Sequence, residues 1–447
     1  MLQVLMFLST QFMGAIFAFT RAPVFAFAMY QAVYFIYPQN RWWGYMVPDL
    51  PYSFITVIFM FCMVVVHYKK VKSNVIYKVP IFKWQLFLLI IVWFVYTQAI
   101  APWHHTALMD SYSKLFIIMI LAFMLINERK HLDYAIWGYL YGAWFSSFIV
   151  YQVGRNAGDR VEGVGTVDAP ESNGLAAALA PSVVLCLYYF WVSRTYKEKV
   201  FFAIAGAFTA NAIVLINSRA SFLAVAVSVT FLMWKLFFSK FQRKNQKVSI
   251  VWVGVLGMCA ALYLVDDGFI SRMQTISSEQ KTDEQESGKT RTTFWLAAID
   301  VSKDYPLGLG ARGFDHVSHI YVSEDVDTGK SRNRSVHSTW FEVLTESGYL
   351  GLFCFIGMLW SCTLCLKKVR KKLVEENDID AYFKMYAIQA ALICFMVSMT
   401  FMNRFRAEIL GWLILFIASA YNLYVLRPET KVDNTQTQTT PELKGSK

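Results

Sequence analysis

Apolar residues along this chain run in long blocks rather than alternating with polar ones. Windows of roughly 17 to 25 apolar residues, each enough to cross about 30 Å of hydrocarbon at 1.5 Å rise per residue, recur along it. Spans, some shorter than these windows, are expected near 2–20, 23–37, 52–67, 82–100, 114–126, 134–151, 173–192, 199–216, 220–238, 248–265, 340–364, 384–401 and 408–426. Barrel strands would be about ten residues long and would alternate in polarity, so the blocks predict helices. The expected fold class is all-α: a polytopic transmembrane helical bundle of about 12–13 spans, with a large extracytoplasmic loop carrying short helices.

The polar intervals sort by charge. Basic residues cluster at Lys69, Lys70, Lys72, Lys78 and Lys83, at Arg129 and Lys130, at Arg194, Lys197 and Lys199, at Lys240, Arg243, Lys244 and Lys247, and from Lys367 to Lys372. Lysine-rich intervals mark the cytoplasmic side. They alternate with lysine-poor ones from Tyr37 onward, so charge and span count agree from the third window on. Arg21 and Pro23 separate two crossings or interrupt a bent hairpin, which leaves the side of the N-terminus open.

The outward intervals are then Pro38 to Pro51, Ala101 to Ser113, Gln152 to Ser172, Asn217 to Ala220, Asp266 to Thr339 and Met402 to Ala407. The fifth, roughly 70 residues long, exceeds an ordinary connector and is expected to form a cap. Within it, 278–289 is polar and expected to be mobile. Phe294, Trp295, Ala298 and Ile299 recur at helical spacing and predict an amphipathic helix on the membrane surface. Pro306, Gly308, Gly310 and Gly313 then force a turn. The expected organisation is an N-terminal bundle (1–265), a periplasmic cap (266–339), C-terminal membrane helices (340–426) and a disordered cytoplasmic tail (427–447).

Composition narrows the function classes. The 447 residues are 56% hydrophobic and 16% charged, and the net charge of +11 follows from the basic loops, so it is a topology signal and not a nucleic-acid footprint. The first window has no basic stretch before it and no cleavage site, and is expected to be a retained span. All seven cysteines lie in apolar windows, where thiols behave as small hydrophobes, and the Cys362/Cys365 pair has no second pair to complete a metal site. His104 and His105 lack a carboxylate or cysteine at ligand spacing.

Ionisable residues are nearly absent from the middles of the windows, where pumps and ion-coupled transporters keep them. Chemistry is therefore expected at an edge, and arginines mark the outward one. Arg219 sits in Asn217-Ser218-Arg219-Ala220-Ser221, a turn so tight that the arginine falls in the first turn of the next helix. Unpaired amides and the helix dipole favour an anion there, while a snorkelling interfacial arginine remains the alternative. His337 precedes Thr339 and Glu342, which match a Ser/Thr-x-x-Glu capping box. It is expected either as a neutral proton acceptor at the mouth of a span or as an ordinary surface residue.

Arg291 opens the amphipathic helix and Arg312 lies in Gly310-Ala311-Arg312-Gly313, both suited to grip phosphate oxygens bidentately. Arg160, Glu162, Asp168, Glu171, Asn173, Arg332, Arg334, Arg404 and Arg406 are weaker candidates, each taken singly a solvated loop group. Arg312, Arg160, Asn173, Glu342 and Arg404 are assigned to substrate binding around the centre, with pocket walls from outer-loop aromatics such as Trp42, Trp43 and Trp103.

The ordered set Ser218-Arg219-Ala220-Ser221, Arg291-Thr292-Thr293-Phe294-Trp295, Tyr305-Pro306-Leu307-Gly308-Leu309-Gly310, His337-Ser338 and Leu344-Thr345-Glu346-Ser347-Gly348-Tyr349-Leu350-Gly351-Leu352 resembles the O-antigen ligase and polymerase family. Tyr37-Pro38-Gln39-Asn40-Arg41-Trp42-Trp43-Gly44 looks like its exosortase-associated O-glycosylation ligase branch.

The resemblance implies a multi-pass protein of the bacterial inner membrane. Its donor would be an undecaprenyl-diphosphate-linked glycan and its acceptor a glycan, lipid-core or protein hydroxyl, reacting at the periplasmic face without cofactor or metal. By motif position Arg219 and Arg291 would hold the diphosphate and His337 would act near the acceptor. The family often has Asn after the histidine; this chain has Ser338. A ligase is the first expectation and a polymerase of lipid-linked repeat units its alternative. A lipid-linked glycan transporter would need mid-span ionisable residues or inverted repeats, neither of which is seen.

Overall fold

The computed structural model describes residues 2–158, 160–264, 288–323 and 332–427. The polar 278–287 stretch and the tail beyond 427 lie outside the described residues. The helices are α1 (Leu2–Thr20), α2 (Phe25–Ile36), α3 (Tyr52–Val66), α4 (Pro80–Val95), α5 (Pro102–Leu125), α6 (Arg129–Val153), α7 (Ser172–Val192) and α8 (Tyr196–Ile216). They continue with α9 (Arg219–Phe237), α10 (Gln246–Leu264), α11 (Gly288–Asp304), α12 (Gly313–Tyr321), α13 (Thr339–Glu376), α14 (Ile379–Met399) and α15 (Glu408–Tyr421). The architecture is a polytopic all-helical bundle, and every apolar window of the sequence is one of its helices.

Among the described residues nine helices are long and apolar enough to cross a membrane, ten if α3 and the segment after it, bent by 79°, are one span. α2 is too short to count by itself, and α6 is diluted by tyrosines, serines and glycines; both nevertheless run from one end of the bundle to the other. At one end Phe25 packs on Tyr134 and Arg129 pairs with Glu376 at 2.9 Å; at the other Tyr34 donates to Asp168, and Gln3 donates to Gln152.

The basic loops gather at one end. Asn74 donates to the Phe123 carbonyl, Asn422 donates to Asn74, Lys384 pairs with Asp133 at 2.7 Å, and Arg243 pairs with Asp380. Gln3, at the start of α1, accepts from the Trp43 indole, so the beginning of the described chain lies at the opposite end, with the arginine-bearing loops. α1 and α2 thus run between the two ends of the bundle in opposite directions, and Arg21 lies in the turn between them at the basic end.

Helix α15 is the axis. Trp412 is fully buried, with Phe27, Tyr30, Tyr34, Phe35 and Tyr139 set mostly edge-on around it at centroid distances of 5.0–6.3 Å. Edge-to-face contacts of this kind add about 0.5–1.5 kcal/mol each beyond burial.

Two expected loops are helical instead. Residues 101–113 were expected outside the membrane as a loop, but α5 begins at Pro102, a position where the missing N–H costs nothing. Its polar residues are absorbed by the helix: Thr106 and Ser111 donate back to the carbonyls of Pro102 and Ala107, and Lys114 pairs with Asp110 at 2.6 Å. Likewise α13 continues past residue 364 and carries Lys367 to Lys372 on its last turns.

The described part of the cap has its own core: Phe294, Ala297, Ala298 and Val301 of α11 pack with Leu309, Phe314, Val317, Val322 and Val336. Helix α11 therefore buries its apolar face against α12 and the start of α13. Only Ile299 of the predicted stripe is exposed.

The cap is joined to the bundle at a break in α13. Gly348 has φ 67° and ψ −173°, a region essentially reserved for glycine, and separates residues 339–347 from the long helix that follows. The carbonyls freed there are met by the 306–310 turn: Leu309 N–H donates to Thr345 O at 2.8 Å and Gly310 N–H to Glu346 O at 3.1 Å. In return Tyr349 N–H donates to Pro306 O at 3.0 Å. A Cβ on Gly348 would lie 2.3 Å from Pro306 O. Gly348→Ala is expected to cost about 1–3 kcal/mol, read as a lowered thermal midpoint in detergent; an unchanged midpoint would remove the junction from the structure's essential contacts.

Candidate functional site at the arginine-bearing end

Arg219 is the first residue of α9. Asn217 before it adopts a left-handed conformation (φ 59°), which lets α8 end and α9 begin within two residues. The first turn of α9 has no side-chain cap, because Ser218 spends its hydroxyl on Ser221 at 3.2 Å. Half-buried, Arg219 has no carboxylate or hydrogen-bond partner among the described residues, and its charged neighbour is another cation, Arg291.

Arg291 lies in the first turns of α11, one helical turn before Trp295 and on the same face. The Trp295 indole stacks on Phe341 with ring centroids 5.5 Å apart and donates to the Val336 carbonyl at 3.1 Å. Val336 precedes His337. The structure thus brings Arg219, Arg291 and the His337 segment to one locality, although they come from α9, α11 and the approach to α13.

His337 has a left-handed backbone (φ 48°), unusual for a non-glycine residue and held from the following side. Ser338 N–H donates to Asn403 Oδ1 at 3.0 Å, Thr339 Oγ1 donates to Met402 O at 2.8 Å, and Arg404 N–H donates to Thr339 Oγ1 at 2.8 Å. Glu342 is half-buried and accepts from Phe405 N–H at 3.2 Å. This corrects the expected capping box: the hydroxyl and carboxylate of Thr339 and Glu342 are used to grip the 402–405 loop, leaving Ser338 at the cap position without a side-chain bond.

The other predicted residues divide. Arg404 is 7% exposed, pairs with Glu171 and donates to Asp168 O at 3.3 Å. Gly174 makes room for it, since a Cβ there would meet the guanidinium. Such a placement belongs to scaffolding rather than to a ligand surface. Arg160 pairs with Glu162 at 2.7 Å, and Glu162 accepts from Ser172 at 3.1 Å. Asn173 is half-buried in the first turn of α7 with no hydrogen-bond partner among the described residues. Arg312 stays at the surface, its Nε on Asp315 at 3.0 Å, while its backbone N–H donates to the buried Glu346 carboxylate at 2.7 Å.

Sequence reasoning missed several supports. Asn403 gave no signal, nor did the linkage of Asp168 Oδ2 to Glu408 N–H at 2.9 Å and of Glu408 to Tyr30 at 2.6 Å. His105, considered only as a metal ligand, is a buried strut: Nδ1 accepts Ala311 N–H at 2.9 Å, so Nε2 carries the proton and donates to Val92 O at 2.7 Å. The Tyr37–Gly44 motif is also structural. Arg41 donates to Ile36 O, Phe35 O and Gly165 O, and burial lowers its pKa to about 10, leaving it charged at neutral pH. Trp43 is fully buried, whereas Trp42 and Trp103 are exposed.

The arrangement is that of a multi-pass membrane protein with two neighbouring arginines and a constrained histidine at one end of its bundle. Residues 204–356, which contain every one of these three groups, match the family model described as O-antigen ligase. Over this segment the chain is similar to the O-antigen ligase family. It is also 20% identical over 193 residues to a Haemophilus influenzae protein described as uncharacterized, covering 42% of this chain and 48% of that one. The chain thus spans about half the length of that relative.

The contrast between Arg404 and Arg219 can be measured. Arg404→Ala orphans its buried contacts and is expected to lower stability by about 1–3 kcal/mol, whereas Arg219→Ala leaves the thermal midpoint within about 1 °C of wild type, as expected where no partner is lost. The reverse order of midpoints would overturn the division into scaffold and site.

Proposed function

We propose that this protein transfers a glycan from undecaprenyl diphosphate to an acceptor hydroxyl, on a lipid-core sugar or a protein, at the periplasmic face of the bacterial inner membrane. The observation that carries the reading is the pairing of Arg219 with Arg291. Two guanidinium groups close to one another favour an anion that bridges them. A diphosphate has the charge and the oxygen geometry for two guanidinium forks. The uncapped first turn of α9 adds its dipole.

In the transfer step the acceptor oxygen attacks the anomeric carbon and forms the new glycosidic bond. The bond from that carbon to the diphosphate oxygen breaks, and undecaprenyl diphosphate leaves with the electron pair. Arg219 and Arg291 stabilise the charge that develops on the leaving oxygens. The His337 imidazole takes the hydroxyl proton as general base. Its left-handed backbone and the bonds that the following Ser338 and Thr339 donate to Asn403 and Met402 keep the ring's origin still while two substrates are aligned. No metal enters this scheme, and single displacement inverts the linkage.

The test is transfer of radiolabelled glycan from its undecaprenyl diphosphate carrier by purified protein with EDTA present. Arg219→Ala and Arg291→Ala are expected to reduce kcat by about 10²–10³, and His337→Ala by about 10²–10⁴, in variants that keep the wild-type thermal midpoint. Undiminished turnover in all three would end the site assignment, and loss of wild-type turnover in EDTA would end metal independence. Product length separates a ligase from the polymerase alternative.

A further inference from the structure

The outer end carries a second group of side chains that the transfer step leaves unused. Because α5 extends through 102–113, its first turn stands beside the cap, where Trp103 and His104 meet His316 of α12. The Trp103 ring lies 5.7 Å from His104 and 6.3 Å from His316, the latter at 85°, and the two imidazoles are 6.4 Å apart. Trp103 is 65% exposed. His104 has Arg312, Asp315 and Arg406 as charged neighbours in addition to His316.

An exposed tryptophan near a membrane edge is ordinarily part of an aromatic belt, its ring among apolar groups at headgroup level. The surroundings of Trp103 are different. Its ring neighbours are two imidazoles, His104, which has the Arg312–Asp315 ion pair near it, and His316, from a cap helix whose buried face includes Phe314 and Val317. An open indole ringed by donors and acceptors matches a sugar, which offers an apolar C–H face to a π surface and hydroxyls at its rim. The cluster is continuous with the reaction locality: Ala311 N–H is held by His105, Arg312 N–H by Glu346, and Arg406 belongs to the loop that fixes the His337 segment.

We propose that Trp103, His104, Arg312 and His316 form a carbohydrate subsite that holds a sugar ring of the glycan substrate beyond the one that reacts. This rests on the glycan-transfer reading for the identity of the ligand. Trp103 supplies the stacking face, the imidazoles and Asp315 bond hydroxyls, and Arg312 and Arg406 favour acidic sugars.

The experiment measures binding of free glycan, released by mild acid from the host's undecaprenyl-diphosphate-linked pool, to the purified full chain by saturation-transfer NMR. Trp103→Ala and His316→Ala are both expected to weaken binding about tenfold, the scale of one lost ring contact, while Tyr45→Ala, an exposed aromatic on another outer loop, leaves it unchanged. Wild-type binding in both cluster variants, or no binding by the wild type, overturns the subsite. Arg219→Ala, run in parallel, is expected to bind free glycan and fail in transfer. If the wild type binds glycan at Trp103 yet transfers it to no acceptor, the transfer reading falls and the subsite stands. Lengthening the donor glycan at fixed acceptor, and the acceptor glycan at fixed donor, shows which of the two gains affinity through Trp103.

Discussion

The reciprocal backbone bonds between the broken α13 and the Pro306–Gly310 turn hold the rest of the arginine-bearing end in place. A helix interrupted inside a membrane protein exposes carbonyls that water and lipid cannot both satisfy, so the break survives only where protein supplies the partners. Here the partners are N–H groups of Leu309 and Gly310, and the glycines at 308, 310 and 348 all have positive φ. The turn then reaches to the other side, where Ile100 N–H donates to Leu309 O at 3.0 Å and His105 accepts from Ala311 N–H. Cap, half-helix and α5 share one seam, and α11 and α12 are positioned by it.

A second seam explains the histidine. The 402–407 loop contacts 338–342 through backbone and side chains, and Arg404 and Glu408 extend the contact to Glu171 and Asp168. Those acidic groups lie at the head of α15, the most enclosed helix, whose Trp412 is locked by five aromatic neighbours. The rigidity of an apolar interior is carried in this way to a polar edge, which is how a residue with strained φ such as His337 stays in one conformation.

The helices were legible because their signal is local: a block of apolar residues long enough to cross a bilayer needs no knowledge of its neighbours. The arginines were legible because a tight turn fixes Arg219 at a helix start whatever surrounds it. What stayed hidden depends on tertiary partners. Thr339 and Glu342 have the spacing of a capping box, yet the 402–405 loop outcompetes the helix's own amides for both side chains. Arg404 and Arg312 look alike in sequence; one is buried beneath Gly174 and the other is at the surface, a difference set by the path of a loop more than 200 residues away. The Ala101–Ser113 interval was misread for the opposite reason, since polar residues that bond to their own helix remove the cost of continuing it.

The position of the two central arginines links architecture to chemistry. Arg219 belongs to a membrane helix and Arg291 to the cap, so their mutual repulsion acts across the division between the two cores. An anion between them reverses the sign of that interaction and draws cap and bundle together. In the proposed reaction the diphosphate is that anion. On the proposed reading, binding of the donor headgroup would strengthen the contact between α9 and α11, and α11 carries Trp295, whose indole holds the Val336 carbonyl next to His337. On that reading the group that departs in the reaction is also the group that bridges the two arginines.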